Sequence, residues 1–429
     1  MARTYLDGEG RPLVAVTGMG VVTSLGRGQA DNWRALTEGR SGIHRITRFP
    51  TEGLRTTIAG TIDDVRLDEP SAPALSEQLA LLAADEALGE AGAGRPGDFP
   101  GPLFVAVPPV EMEWPQRRAL AVEAGDDGVD YRALAAAAAS GRHRRWHELF
   151  LFGGVADRLA ERLGTKGSPI SLSTACSSGA TAIQLSVEAI RRGETDVALC
   201  VGTDGSVHAE ALIRFSLLSA LSTQNELPEA ASKPFSKNRD GFVMGEGAAA
   251  LVLESAASAH ARGARVLGYV LGCGDCGDGF HRTRSSPDGK PIIRAIQNAL
   301  DDAGLAPEAI DYINAHGTST PENDKMETMG CSAVFGERMP TLPISSNKSM
   351  VGHTLTAAGA IEAVISLMTI ANQRLTPTIN YLQPDPAIPL DVVPNRARDA
   401  RVRNVLSNSF GFGGQNTCLV LGAEPASAA

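Results

Sequence analysis

Cysteine, aromatic side chains and positive charge are all scarce in this chain. Six cysteines, at positions 176, 200, 273, 276, 331 and 418, are few for 429 residues, and their spacing forms no disulfide framework, which suits a reducing compartment. The Cys273–Cys276 pair lacks the second Cys or His pair that a tetrahedral zinc site needs, so no metal is expected, and the pair reads as small residues in a Gly-rich turn. A formal charge of −10 disfavours a nucleic-acid binder, although a local basic patch can still attract an acidic partner. No uncharged apolar run reaches membrane-spanning length, and residues 1–11 carry charges and glycines where a signal peptide would be apolar. A cytoplasmic protein with no membrane association is therefore expected. With 43% hydrophobic residues, the chain has enough apolar surface for two core-bearing units.

What the chain does have is a cysteine at a joint. Residues 170–174 are β-compatible and 180–190 are Ala/Ile/Leu-rich at helical spacing, so Ser173-Thr174-Ala175-Cys176-Ser177-Ser178-Gly179-Ala180 places Cys176 near a helix N-terminus. Unpartnered N–H groups there favour a thiolate, which predicts a lowered pKa. Small neighbours leave room for a substrate, whereas a buried inert cysteine would need none.

The pattern along the chain is βα throughout. A strand over 13–17 is followed by Gly18-Met19-Gly20, which reads as a tight turn; a dinucleotide fingerprint is disfavoured because Thr23 stands at its third glycine position. Helices are predicted over 32–38, 75–91, 292–303 and 322–335, and strands over 103–107, 197–202, 248–254, 266–271, 310–314 and 417–421. Residues 131–163 combine an Ala-rich helix, a basic cluster at Arg142, Arg144 and Arg145, and a second helical segment; the cluster reads as a solvated face. The helix after Cys176 aligns without gaps on a later one: Gly179-Ala180, Ser186 and Ile190 match Gly359-Ala360, Ser366 and Ile370. Few as they are, these identities suggest an internal repeat.

Two further stretches set a histidine beside a glycine: Asn314-Ala315-His316-Gly317-Thr318-Ser319-Thr320 and Asn347-Lys348-Ser349-Met350-Val351-Gly352-His353. Either histidine alone would read as a structural hydrogen-bonder, but two beside a reactive cysteine point to catalysis. They lack the i, i+4 spacing of a helical metal site. The last cluster, Ser409-Phe410-Gly411-Phe412-Gly413-Gly414, reads as a tight turn or as a source of oxyanion-hole N–H groups.

The motifs T-A-C-S-S-G, N-A-H-G-T-S-T, N-K-S-M-V-G-H and S-F-G-F-G-G, in that order, resemble the elongating β-ketoacyl-[acyl-carrier-protein] synthases from Val14 to Leu421. The resemblance implies an α/β, thiolase-like fold in which duplicated βαβ-containing halves form five αβαβα layers, divided here at 12–262 and 263–424. It also implies a homodimer without a cofactor, working with an acyl-carrier protein. By the same resemblance Cys176 is the nucleophile, His316 and His353 assist malonyl decarboxylation, and Lys348 with its partner Glu362 supports the histidines. The backbone N–H groups of Cys176 and Phe412 would form the oxyanion hole. Phe412 would also be a gate, Thr318 and Thr320 would bind the pantetheine arm, and Gly411 and Gly413 would join them in binding substrate.

Two stretches depart from the family pattern. Pro108-Pro109-Val110 replaces a glycine-rich turn, and residues 142–163, with Trp146, Phe150 and Phe152, replace a Pro-Phe-rich segment, so the wall of the acyl pocket and the chain preference should differ. The function expected is decarboxylative condensation in fatty-acid or polyketide-type synthesis. A non-catalytic partner subunit would generally lack the cysteine, and a Cys-His hydrolase would need one histidine with an Asn or Asp orienter.

Overall fold

Strand β1 (Val14–Thr23) is buried along its whole length and, after a register shift between Val16 and Gly18, continues as strand through Gly18-Met19-Gly20, where a turn was expected. Packing explains the difference. A Cβ at Gly18 or Gly20 would stand 2.0 or 1.9 Å from the carbonyl oxygens of Ala87 and Ala83, on helix α1 (Ala72–Ala91), so these glycines let a helix lie directly on the strand. The computed structural model describes residues 5–95, 97–125 and 130–425; the first four residues of the segment read as lacking a leader lie outside that set.

Among the described residues, nine further strands build the main sheet with β1: β2 (Leu103–Ala106), β3 (Ile170–Leu172), β4 (Val197–Asp204), β5 (Gly247–Ser255), β6 (Gly268–Gly277), β7 (Tyr312–Asn314), β8 (Ile344–Ser345), β9 (Asn404–Phe410) and β10 (Gln415–Gly422). They lie in the order β8-β7-β9-β10-β6-β1-β5-β4-β2-β3, with Gly26–Arg27 paired beside β1. The first five strands are thus ordered third, second, fourth, fifth, first, and the last five repeat that order. Directions repeat as well: β2 is parallel to β3 and β4 as β7 is to β8 and β9, and the remaining neighbours within each set are antiparallel. The two sets meet where Val14–Val16 of β1 pair with residues 268–270 of β6.

Five helices complete the layers: α2 (Gly154–Leu163), α3 (Ser178–Arg191), α4 (Lys290–Ala303), α5 (Pro321–Phe335) and α6 (Ala358–Asn372). One outer core packs α1 and α2 on the first strand set, and another packs α4 and α5 on the second. The central core holds α3 and α6 between them, completing a thiolase-like αβαβα arrangement. Residues 355–372 are apolar enough to span a membrane by composition, but 83% of that stretch is buried, so it serves as the middle of the core.

The Cys273–Cys276 pair is a second correction, because β6 runs through it in register with β10 instead of turning. A Cβ at Gly272 or Gly274 would reach backbone atoms of Ala299 on α4 at 2.4 and 2.1 Å. Glycines in the first strand of each set therefore serve the same close strand–helix contact.

Candidate active site

Cys176 follows β3 through a turn held by local bonds. Ser178 Oγ donates to the Ala175 carbonyl at 2.6 Å and accepts from the Thr174 N–H at 2.7 Å, while Ala175 is forced to φ +50°, left-handed for a non-glycine residue. That turn lifts Cys176 just ahead of α3, as the sequence pattern required. Its thiol is only 8% exposed, and here the expectation of a lowered pKa fails: burial pushes it up to about 11. The Phe412 N–H, donating to the sulfur, and the positive charge of Lys348 oppose that shift without cancelling it.

His316 and His353 are each 2% exposed, and the Cys176 sulfur and one ring nitrogen of each histidine lie within 4.8 Å of one another. The two imidazoles meet edge to face at 5.3 Å, with Phe242 set edge-on against His353 and Phe410 against His316. Burial holds both pKa values well below the ordinary histidine value, with Lys348 adding to the effect, so both rings are neutral. Their tautomers follow from their partners. His353 Nδ1 accepts the Leu355 N–H at 3.3 Å and His316 Nδ1 lies 3.5 Å from Lys348 Nζ, which leaves an Nε2–H donor on each ring.

Lys348 and Glu362 form an ion pair in which both side chains are almost fully buried. Burial pushes the Glu362 carboxyl up to about 7 against the pull of Lys348. His353 is fixed by its backbone, which donates to the Val243 carbonyl and accepts from the Gly245 N–H. His316 depends on a residue the sequence pattern did not single out. Glu327, on α5, accepts the His316 N–H at 2.8 Å and the Gly317 N–H at 2.7 Å, and its first oxygen also takes a bond from Asn408. The available signal was Asp324 and Glu327 at i, i+3 spacing in the helix that Thr320 caps; Asp324 correspondingly accepts the Ser319 N–H.

Thr318, Thr320, Gly411, Phe412 and Gly413 line the crevice that leads to Cys176. The Thr318 and Thr320 hydroxyls bond each other at 2.9 Å. Gly411 lies against the cysteine turn, since a Cβ there would stand 3.3 Å from the Cys176 nitrogen, and so the Cys176 and Phe412 N–H groups share one locality.

Residues 12–259 match the family described as beta-ketoacyl synthase, N-terminal domain, and residues 267–382 match its C-terminal domain. The chain belongs to the beta-ketoacyl synthase family. It is 37% identical to the 3-oxoacyl-[acyl-carrier-protein] synthase 2 of Coxiella burnetii, over 95% of this chain and 98% of that one. Among solved structures it is similar to a type II polyketide ketosynthase in complex with its acyl-carrier protein, with TM-score 0.84 and 31% identity, covering 96% of this chain and all of the other. The ishigamide ketosynthase/chain length factor gives TM-score 0.82 and 36% identity over the same shares. As a ketosynthase, the chain is a condensing enzyme of the acyltransferase type.

The departures from the family pattern fall away from this crevice within one chain. Trp146 donates to Glu69 and stacks on His143, Phe152 is 39% exposed, and neither Phe150 nor Phe152 lines the space around Cys176.

Proposed function

We propose that this ketosynthase condenses an acyl group held on Cys176 with a malonyl group delivered by an acyl-carrier protein, in fatty-acid or polyketide synthesis. In the loading step the sulfur attacks the carrier thioester, the carbonyl carbon moves to Cys176, and the departing pantetheine thiol takes the proton that the cysteine loses. Once acylated, the sulfur no longer competes for the two Nε2–H donors. Malonyl thioester then loses CO₂ when its carboxyl–Cα bond breaks, and the electron pair passes into an enolate whose oxygen receives both donors. The enolate carbon attacks the acyl-Cys176 carbonyl, the Cys176 and Phe412 N–H groups hold the resulting oxyanion, and the C–S bond breaks to release the β-ketoacyl product, leaving a Cys176 thiolate that takes a proton from water.

The observation that carries this reading is the meeting of one thiol with two neutral imidazoles whose Nδ1 atoms are both engaged. Neutral donors suit an enolate that must go on to react, because a full positive charge would hold it too firmly. Lys348 and Glu362 keep His316 in place, Phe412 moves to admit malonate, and Thr318 and Thr320 hold the pantetheine amides. Cys176 and both histidines favour a catalytic subunit over a non-catalytic chain-length partner. The proposal includes a homodimer in the cytoplasm, and two halves divided at 262/263. Intact-protein mass spectrometry after incubation with acyl-carrier thioesters tests it: a one-acyl mass increase that chases off with malonyl-carrier protein is expected, and no adduct with any acyl chain would refute it.

A further inference from the structure

The two histidines are held by different means. Glu327 bonds the backbone beside His316, whereas the ring of His353 is aimed through a strained turn. Leu355 stands at φ +44°, left-handed for a non-glycine residue, and in that conformation its N–H donates to His353 Nδ1 at 3.3 Å. Such a conformation persists only where neighbouring bonds fix it. Here the next residue supplies them: the Thr356 N–H donates to Asp204 Oδ2 at 3.1 Å, and the Thr356 hydroxyl lies 2.7 Å from that oxygen and 2.8 Å from the Thr203 carbonyl.

Asp204 belongs to the other strand set, where it ends β4 and is 1% exposed. Its Oδ1 accepts the Ser206 N–H at 3.0 Å and the Ser206 hydroxyl at 2.5 Å, so the carboxyl is gripped from both sides. Burial pushes its pKa up, and the Ser206 and Thr356 donors pull it back. Its hydrogen bonds among the described residues go to Ser206 and Thr356, with none to Cys176 or to either imidazole. The strand also lies directly against the turn, since a Cβ at Gly202 would stand 3.4 Å from the Ala357 Cα. A fixed carboxyl on β4 therefore sets the backbone that sets the ring.

We infer that Asp204 is a positioning residue for decarboxylation: through Thr356 it holds Leu355 in the left-handed conformation whose N–H keeps His353 Nδ1 unprotonated, so that the ring presents Nε2–H to the enolate oxygen. The enolate rests on the condensing function proposed above, whereas the tautomer does not. A neutral imidazole carries one N–H, and a proton on Nδ1 would leave a lone pair where the developing negative charge needs a donor.

The test is the nitrogen NMR spectrum of the full chain labelled with 15N-histidine, with the His353 ring signals identified by their loss in His353→Ala. Wild type should show one protonated nitrogen, Nε2, and one bare nitrogen, Nδ1. In Asp204→Ala the two His353 signals should converge as the tautomers mix, while His316 keeps its wild-type pattern. CO₂ release from malonyl-carrier protein should fall about tenfold in that variant. Acyl loading should stay within about threefold of wild type, because the Asp204 charge that helps push the Cys176 thiol up has gone. Thr356→Val, which keeps the shape and loses the hydroxyl, should move both readouts the same way by less, and Ser206→Ala, which loosens only the Oδ1 side, should leave both unchanged. A proton on His353 Nδ1 in wild type, an unchanged His353 pattern in Asp204→Ala, or equal losses of loading and CO₂ release would each overturn the inference. If Asp204→Ala does not fold, Thr356→Val decides, and a wild-type His353 pattern there would overturn it. Failure of wild type to release CO₂ would refute the condensing function instead, with the tautomer reading untouched.

Discussion

The two strand sets carry the same scaffold and different chemistry. In each, the third strand leads into a central helix, β3 into α3 and β8 towards α6, and the two helices touch at matched glycines: a Cβ on Gly179 would stand 2.5 Å from the Ala360 nitrogen, and one on Gly359 2.5 Å from the Ala180 nitrogen. The connection after β3 presents Cys176, while the connection after β8 presents Lys348 and His353. The second strands differ further, since β7 leads to His316 whereas β2 leads to Val107-Pro108-Pro109, which offers no side-chain donor. The two sets thus hold one geometry twice, with the cysteine on one and both histidines on the other.

The sharpest way to break the comparison is to remove the first set's contribution. Cys176→Ala should abolish the acyl adduct and lower condensation by about a thousandfold or more; an adduct of unchanged yield by intact mass would place the nucleophile elsewhere.

Next in size is the ion pair that exists only in the second set. Glu362→Ala leaves Lys348 charged and buried, which should cost about 3–5 kcal/mol in urea unfolding, with less lost when Lys348→Met is added. A pair of equal, additive losses would show that the two side chains do not support each other.

The shared contact should respond alike from both sides. Gly179→Ala and Gly359→Ala each drive a methyl into backbone, so each should destabilise by about 1–3 kcal/mol, and a large inequality would deny the symmetry of the packing.

The smallest effect concerns the buried thiol. Because burial raises its pKa from 9.0 to about 11, folding gains stability from the neutral thiol below pH 9 and loses it as pH climbs to 11. Iodoacetamide alkylation of Cys176 should therefore keep accelerating up to about pH 11. A plateau between pH 7 and 8 would mean that the helix N-terminus and the histidines outweigh burial.

Much of this arrangement was legible in the residues, but unevenly. Cys176, His316 and His353 stand beside small residues in motifs whose order carried the family, and the Gly179/Gly359 alignment already marked the packed helices. Two glycine clusters misled because a turn and a close helix–strand contact have the same composition. What separates them is a helix from further along the chain, with Ala87 against Gly18 and Ala299 against Gly272. The Cys176 pKa misled for a similar reason: a helix terminus is local in sequence, whereas the burial that outweighs it is built with residues far along the chain, Phe242, Met244 and Leu355 among them. Glu327 escaped notice because it acts on the His316 and Gly317 backbone N–H groups, so its spacing from Asp324 was a weak mark beside the side-chain motifs.

The division of labour between the two sets is the central claim, and one paired measurement tests it most directly: acyl loading by intact mass and CO₂ release from malonyl-carrier protein, both on His316→Ala and His353→Ala. Each histidine variant should load within about tenfold of wild type while releasing CO₂ about a hundredfold or more slowly, since each has lost one donor to the enolate oxygen. Lost loading with unimpaired CO₂ release in both variants would contradict the account.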